Sequence, residues 1–147
     1  MLLTIATFAD DARQGPDGKL SLTGAHNAIA VASLPGRVAM RLVLRLVAEP
    51  EDDKVSQQVT LRIRADDGTE MTSVVANPFT LDVPPNAPVD LDQVLNLTVQ
   101  FEREGRYMFD VEVNDRVAGR TPLLLLVRPE LTTQAGMQIK VKGKKRT

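Results

Sequence analysis

Between Gly105 and Val113 the side chains of Tyr107, Phe109, Val111 and Val113 fall on every second residue, and the run stops at Asn114-Asp115. Apolar residues repeating with period two belong to an extended strand with one dry and one wet face, and the polar pair beyond reads as a two-residue hairpin turn. The same period recurs in several other segments. It restricts the chain to pleated sheets that must bury one face each.

Val38, Met40, Leu42, Leu44, Leu46 and Ala48 alternate with Ala39, Arg41, Val43, Arg45, Val47 and Glu49, which predicts a long strand with the first set in the core. After the acidic turn at Glu49-Pro50-Glu51-Asp52-Asp53, Val59, Leu61 and Ile63 alternate with Thr60, Arg62 and Arg64 as far as Asp66-Asp67-Gly68. That Asp-Gly sequence predicts a hairpin, with Met71 to Val75 as its returning strand. Pro78 to Pro88 predicts a loop or an edge, because each proline removes a ladder donor. Leu95, Leu97, Val99 and Phe101 form a further face, and Val117 to Val127 a last strand in which Pro122 marks an edge or a bulge. Leu2 to Phe8 is expected to pair with Lys19 to Gly24 across the turn at Gly15-Pro16-Asp17-Gly18.

No segment holds a helical period longer than two turns. About eight strands at intervals of ten to fifteen residues predict an all-β fold, an antiparallel two-sheet β-sandwich of immunoglobulin-like or related Greek-key type. At 147 residues, 25% charged and 43% hydrophobic, the chain is expected to form one autonomous domain over residues 1–129. Residues 130–147 are expected to form a basic tail, with a short edge strand to about residue 142 and disorder beyond. Lys140, Lys142, Lys144, Lys145 and Arg146 lie in its last eight residues, so the body carries a net negative charge. Without cysteine there are no disulfides or thiolate sites, and the apolar start, Met1 to Ala6, lacks a basic leader. A cytoplasmic protein outside the membrane is expected.

The chemistry-bearing residues are sparse. His26 is the only histidine and reads as an ordinary loop residue. The acidic pairs Asp10-Asp11, Asp52-Asp53, Asp66-Asp67 and Asp90 with Asp92 lack the spacing of a calcium loop, and Asp66-Asp67-Gly68 and Asp17-Gly18 read as turn chemistry. Tyr107, the only tyrosine, stands at a strand entrance like the tyrosine that ties a corner of a sandwich. Neither a catalytic residue, nor a metal ligand, nor a cofactor site is signalled.

Arg41, Arg45, Arg62 and Arg64 are the candidate anion or partner surface. If their two strands pair through the Pro50 turn, Arg41 faces Arg62 or Arg64, and such like-charge opposition is destabilising. Either Asp110 and Glu112 then compensate, or the cluster receives an anion. Val43, Val47, Leu124 and Leu126 are the candidate interface, because they are apolar where polar residues would suffice. Leu123 to Val127, five apolar residues in a row, predicts a strand covered on both faces. The basic tail offers weak phosphate contacts without aromatic residues for stacking.

Phe8-Ala9-Asp10-Asp11-Ala12, Asp17-Gly18-Lys19-Leu20 followed by Gly24, Leu34-Pro35, Leu42-Val43-Leu44-Arg45, Asp66-Asp67-Gly68, and Gly105-Arg106-Tyr107 with Phe109 and Val111 together carry a resemblance. On these residues the chain resembles a family of uncharacterised bacterial small β-sandwich proteins, a domain of unknown function. The family has an aromatic residue and an aspartate after the glycine, where this chain has Ala25-His26-Asn27-Ala28. The resemblance ends before residue 128, implies a sandwich in a bacterial or phage setting, and transfers no site.

The function expected is therefore a non-enzymatic module that binds an unknown protein partner or forms a homo-oligomer. The alternatives are a small-ligand or metal-ion module acting through Asp- and Pro-rich end loops, and weak nucleic-acid or anion binding through the tail and the arginine face.

Overall fold

The computed structural model describes residues 1–131. The expected edge strand near residue 142, and the tail residues Lys140, Lys142, Lys144, Lys145 and Arg146, lie outside the described residues. Ten strands follow in order: β1 (Leu2–Phe8), β2 (Asp11–Gln14), β3 (Leu20–Thr23), β4 (Ala28–Val31), β5 (Gly36–Ala48), β6 (Val59–Ala65), β7 (Glu70–Val75), β8 (Val89–Phe101), β9 (Gly105–Val113) and β10 (Arg116–Val127). They form a three-stranded sheet in the order β1-β5-β8, a five-stranded sheet in the order β4-β10-β9-β6-β7, and the separate hairpin β2-β3. The chain changes layer between β4 and β5, β5 and β6, β7 and β8, and β8 and β9, the interleaved path of an immunoglobulin-like sandwich.

The core lies between the two sheets. Phe8, Leu42, Leu44, Leu46, Leu97, Val99 and Phe101 from the first layer meet Val59, Leu61, Ile63, Tyr107, Phe109, Val111, Leu123 and Leu125 from the second. Each of these sets follows the period-two spacing of its strand, so the alternation in sequence is the physical origin of the two dry faces. Two aromatic pairs cross the gap edge to face, Phe8 with Phe109 at 5.0 Å and Phe101 with Tyr107 at 4.7 Å between ring centroids. The Tyr107 hydroxyl donates to the Arg103 carbonyl four residues upstream, which ties the β8–β9 connection to the core.

The turns obey local chemistry. Asn114 and Asp115 have φ of 50° and 67°, the pair of positive angles that a type I′ hairpin between β9 and β10 requires. At the β6–β7 hairpin only Gly68 is positive, at 86°, and Asp67 Oδ1 accepts from the Thr69 amide at 2.9 Å. That turn is the longer glycine-bulge form, with a register shift between Ile63 and Arg64.

Three expectations are corrected. β1 pairs with β5, whereas the strand beginning at Leu20 pairs with the four-residue β2, whose polar sequence Asp-Ala-Arg-Gln shows no alternation. β5 and β6 are not partners: a 3-10 turn at Pro50–Asp52 and Lys54, at φ 57°, carry the chain to the other layer. Two strands with dry faces satisfy burial equally well side by side or face to face, so period alone did not separate the two arrangements. Finally, β4 pairs with β10 in parallel, the one departure from antiparallel pairing among the described strands. Pro122 lies in the part of β10 that precedes the β4 pairing at Leu124–Val127, so its missing amide faces an open flank.

Replacing Phe109 with alanine removes one side of the Phe8 contact and should cost about 3–5 kcal/mol of unfolding free energy, read from urea denaturation. Phe109→Leu should fall between the two. Tyr107 is 5% exposed, and burial pushes its hydroxyl above the ordinary phenol value. With the folded value raised, its contribution to stability is complete below a pH of about 10 and is lost as pH rises toward the folded value. Because it is the only tyrosine in a chain without tryptophan, ultraviolet titration should show its ionisation displaced upward and coupled to alkaline unfolding. Tyr107→Phe should remove that alkaline slope.

Candidate functional site

The four candidate arginines occupy opposite outer faces of the sandwich. Arg41 and Arg45 stand on β5 with Val43 between them, facing away from the core. Arg45 grips Asp92 of β8 with two bonds, Nε to Oδ1 at 2.6 Å and Nη2 to Oδ2 at 2.8 Å, and it also donates to the Gly18 carbonyl at 2.8 Å. This bidentate carboxylate raises the pKa of Arg45 further. Arg41 donates to Asn96 Oδ1 at 3.1 Å and to the Asp10 carbonyl, and Gln14 donates to Asp92 at 2.9 Å. These bonds hold the β2-β3 hairpin, at its start and at its turn, across the outer face of the three-stranded sheet.

Val43 is 0% exposed beneath that hairpin. Val43 is therefore withdrawn as an interface residue, and the cover it needs comes from this chain. Val47 is half-buried beside Leu2 and Asp90.

Arg62 and Arg64 lie on the outer face of the five-stranded sheet and are opposed by acids rather than by Arg41. Arg62 Nε meets Glu112 at 2.9 Å and its Nη1 meets Glu70 at 3.4 Å, while Arg64 and Arg120 reach the two oxygens of Asp110 at 3.0 and 3.1 Å. The ladder runs from β7 through β6 and β9 to β10. Its hub, the Asp110 side chain, is 2% exposed, and the Glu112 carboxylate holds Arg62 more firmly in its charged form. Of the two outcomes expected for this cluster, compensation by Asp110 and Glu112 is the one observed.

Beyond the ladder the same face becomes apolar. Leu124 and Leu126 of β10 are half-exposed, and they neighbour Ala28 and Ala30 across the parallel pairing. Pro122 lies opposite the half-exposed Met108, and Leu124 opposite the exposed Arg106. Among the described residues no carboxylate lies within ion-pair distance of Arg106, in contrast to Arg62, Arg64 and Arg120. An open depression of about 460 Å³ brings Arg106 together with Arg64, Met108, Asp110, Val117 and Arg120. Leu123 and Leu125 are fully buried while Leu124 and Leu126 are not, so among the described residues β10 is covered on one face. Arg106 and Met108 escaped the sequence reading, although they share the outward parity of Asp110 and Glu112.

The remaining candidates are engaged in holding the fold. His26 Nδ1 donates to the Gly24 carbonyl at 2.7 Å, and His26 bridges the Phe8 backbone. Asp17, Asp52, Asp53 and Asp67 each accept from a nearby backbone amide. No group of three His, Asp or Glu residues suited to a metal occurs among the described residues. Nor is any described helix long and apolar enough to cross a membrane.

Asp110→Ala leaves two guanidinium groups side by side without their shared acceptor, and should lower stability by about 2 kcal/mol in urea unfolding. Arg120 is 61% exposed, and Arg120→Ala should cost only about 0.5 kcal/mol because solvent screens its bond. Equal losses from the two would show that the ladder does not hinge on Asp110.

No curated protein matches this chain. Among solved structures, it is similar to an alkylpurine DNA glycosylase AlkC of Pseudomonas fluorescens, bound to DNA containing an abasic-site analogue, at 18% identity and a TM-score of 0.39. That match takes in 67% of this chain and 27% of the glycosylase, so the chain spans about a quarter of that enzyme's length. It is also similar to an immunoglobulin-like protein of Pseudomonas aeruginosa, at 14% identity and a TM-score of 0.34, over 83% of this chain and 92% of the other. A family model described as "Family of unknown function (DUF6941)" matches residues 4–126, from β1 to the last residues of β10, and the chain belongs to that family.

Proposed function

We propose that this protein is a non-enzymatic, cytoplasmic association module that holds another protein against the outer face of its five-stranded sheet. One observation carries the reading. An apolar strip of Pro122, Leu124, Leu126 and Met108 adjoins Arg106, whose charge, unlike those of its neighbours, has no acidic partner among the described residues.

A buried face needs no such strip on its outside, and the opposite face of the sandwich shows how this chain covers one when it must, with Val43 under the β2-β3 hairpin. The chemistry that fits is a segment with apolar side chains on β10 and a carboxylate seated on Arg106 in the adjoining depression. Arg64 and Arg120 share the single carboxylate of Asp110 and line the same depression, so the arrangement keeps a net positive charge that adds to the attraction for an acidic segment. Enzymatic activity finds little support, since the one histidine and the hub aspartate are both held in structural bonds.

A peptide library displayed without sequence bias and selected on the intact protein should enrich segments carrying Asp or Glu flanked by apolar residues. Arg106→Glu and Leu124→Asp should each reduce capture of an enriched peptide by about tenfold or more, equivalent to roughly 1.4 kcal/mol. Enrichment indifferent to both substitutions would overturn the proposal.

A further inference from the structure

A strand at the margin of a sheet presents a row of amides and carbonyls that invites another strand, and proteins usually blunt such margins with shortness, bulges, proline or charge. Three margins here are blunted. β4 has four residues, β7 carries a register shift, and β1 is interrupted between Leu3 and Ile5. β8 is different. It has 13 residues paired to β5 from Gly36 to Ala48 without a single shift, a straight margin of about 40 Å at roughly 3.3 Å per residue. It contains no proline, lysine or arginine, and its only charges, Asp90 and Asp92, lie near its start and face Arg45.

A second feature lies on the same strand. Gln93 points to the inner side of the sheet opposite Leu44, and its Oε1 is buried without a hydrogen-bond partner among the described residues. An unpaired buried amide oxygen is costly, and it calls for a donor from outside.

We infer that β8 pairs antiparallel with β8 of a second copy of this chain, about a two-fold axis at Gln93, joining two three-stranded sheets into one of six strands. The inference rests on the association reading above but assigns a different surface. For side chains to keep their faces across such an axis, paired residue numbers must share parity, so the axis must pass through a residue. At Gln93 the two amides face each other, and each Nε2 can donate to the orphaned oxygen of its mate. The remaining pairs are Asp92 with Val94, Leu91 with Leu95, Asp90 with Asn96 and Val89 with Leu97, so no like charges meet. Val94, 40% exposed in the single chain, gains a neighbour.

The register makes a sign-specific test possible at Val94, an exposed position where substitution leaves the core intact. Val94→Asp sets like charges opposite Asp92 twice about the axis and should raise the dimer dissociation constant at least about tenfold. Val94→Lys should dimerise as well as the parent or better. Sedimentation of the full-length protein measures both, with circular dichroism confirming the fold. Hydrogen exchange at low and high concentration should show the β8 amides that point away from β5 protected only in the dimer.

A strict monomer at high concentration, a dimer that weakens equally with Asp and Lys, or protection of the outward-pointing β8 amides independent of concentration would each overturn the inference. The last would mean that residues of the same chain occupy the margin. Capture of acidic peptides by the Arg106 face should be unchanged by Val94→Asp, so failure at one surface is distinguishable from failure at the other.

Discussion

The two edge-to-face aromatic pairs, Phe8 with Phe109 and Phe101 with Tyr107, close the gap between the layers. They use four of the five aromatic residues in the chain. With no cysteine available, interlayer packing of this kind is what converts separate sheets into one cooperative body. Each ring fixes the parity of its strand, and parity fixes which residues are left outside. The location of every surface feature follows from that closure.

The two outer faces are finished in different ways. On the three-stranded sheet, Arg45 and Arg41 reach past Val43 to bind the hairpin that covers it, so two cations serve as fasteners for an apolar lid. On the five-stranded sheet, the cations are balanced across strands by Glu112, Glu70 and Asp110. Charge on this sheet is locally neutral around the ladder, and among the described residues Arg106 beside it has no carboxylate partner. Like residue types thus do partly unlike work: Arg45, like Arg62 and Arg64, binds a carboxylate on a neighbouring strand, but Arg41 and Arg45 also bond backbone carbonyls of a folded-over segment.

Much of the fold was legible because it rests on local signals. The alternating sets in β5, β6, β8 and β9, the Asn114-Asp115 and Gly68 turns, and the Tyr107 tie all appear where period and turn chemistry place them. Partner choice was legible across the tight β6–β7 and β9–β10 turns but not across the longer connections. Leu42 and Leu61 want a dry neighbour, and a neighbour across the gap is as dry as one alongside, so β5 and β6 looked like a hairpin pair although they lie in opposite layers. β2 and β4 are four residues each, too short for a period to show. The surface suffered from the same gap: Val43 has the spacing of an exposed residue, and only the arginine-fastened hairpin, a contact between distant segments, buries it. Leu124 and Leu126 stayed accessible because, among the described residues, β10 has the core on one side and no lid on the other.

The distribution of titratable groups bears on what kind of work the molecule can do. Asp92, Asp110 and Glu112 each serve a guanidinium, Asp67 and Asp17 each hold a turn amide, and His26 is bonded to a carbonyl beside Phe8. A group that holds the scaffold in its charged or hydrogen-bonded form is poorly placed to exchange protons with a substrate, because changing its state would loosen the structure that positions it. Two further features among the described residues are geometric: an apolar strip beside Arg106, and a long margin on β8 with an unsatisfied Gln93 oxygen. Under the two proposals above, the strip would engage a partner through side chains and the β8 margin through backbone, and because the two features lie on different sheets neither mode of association would block the other.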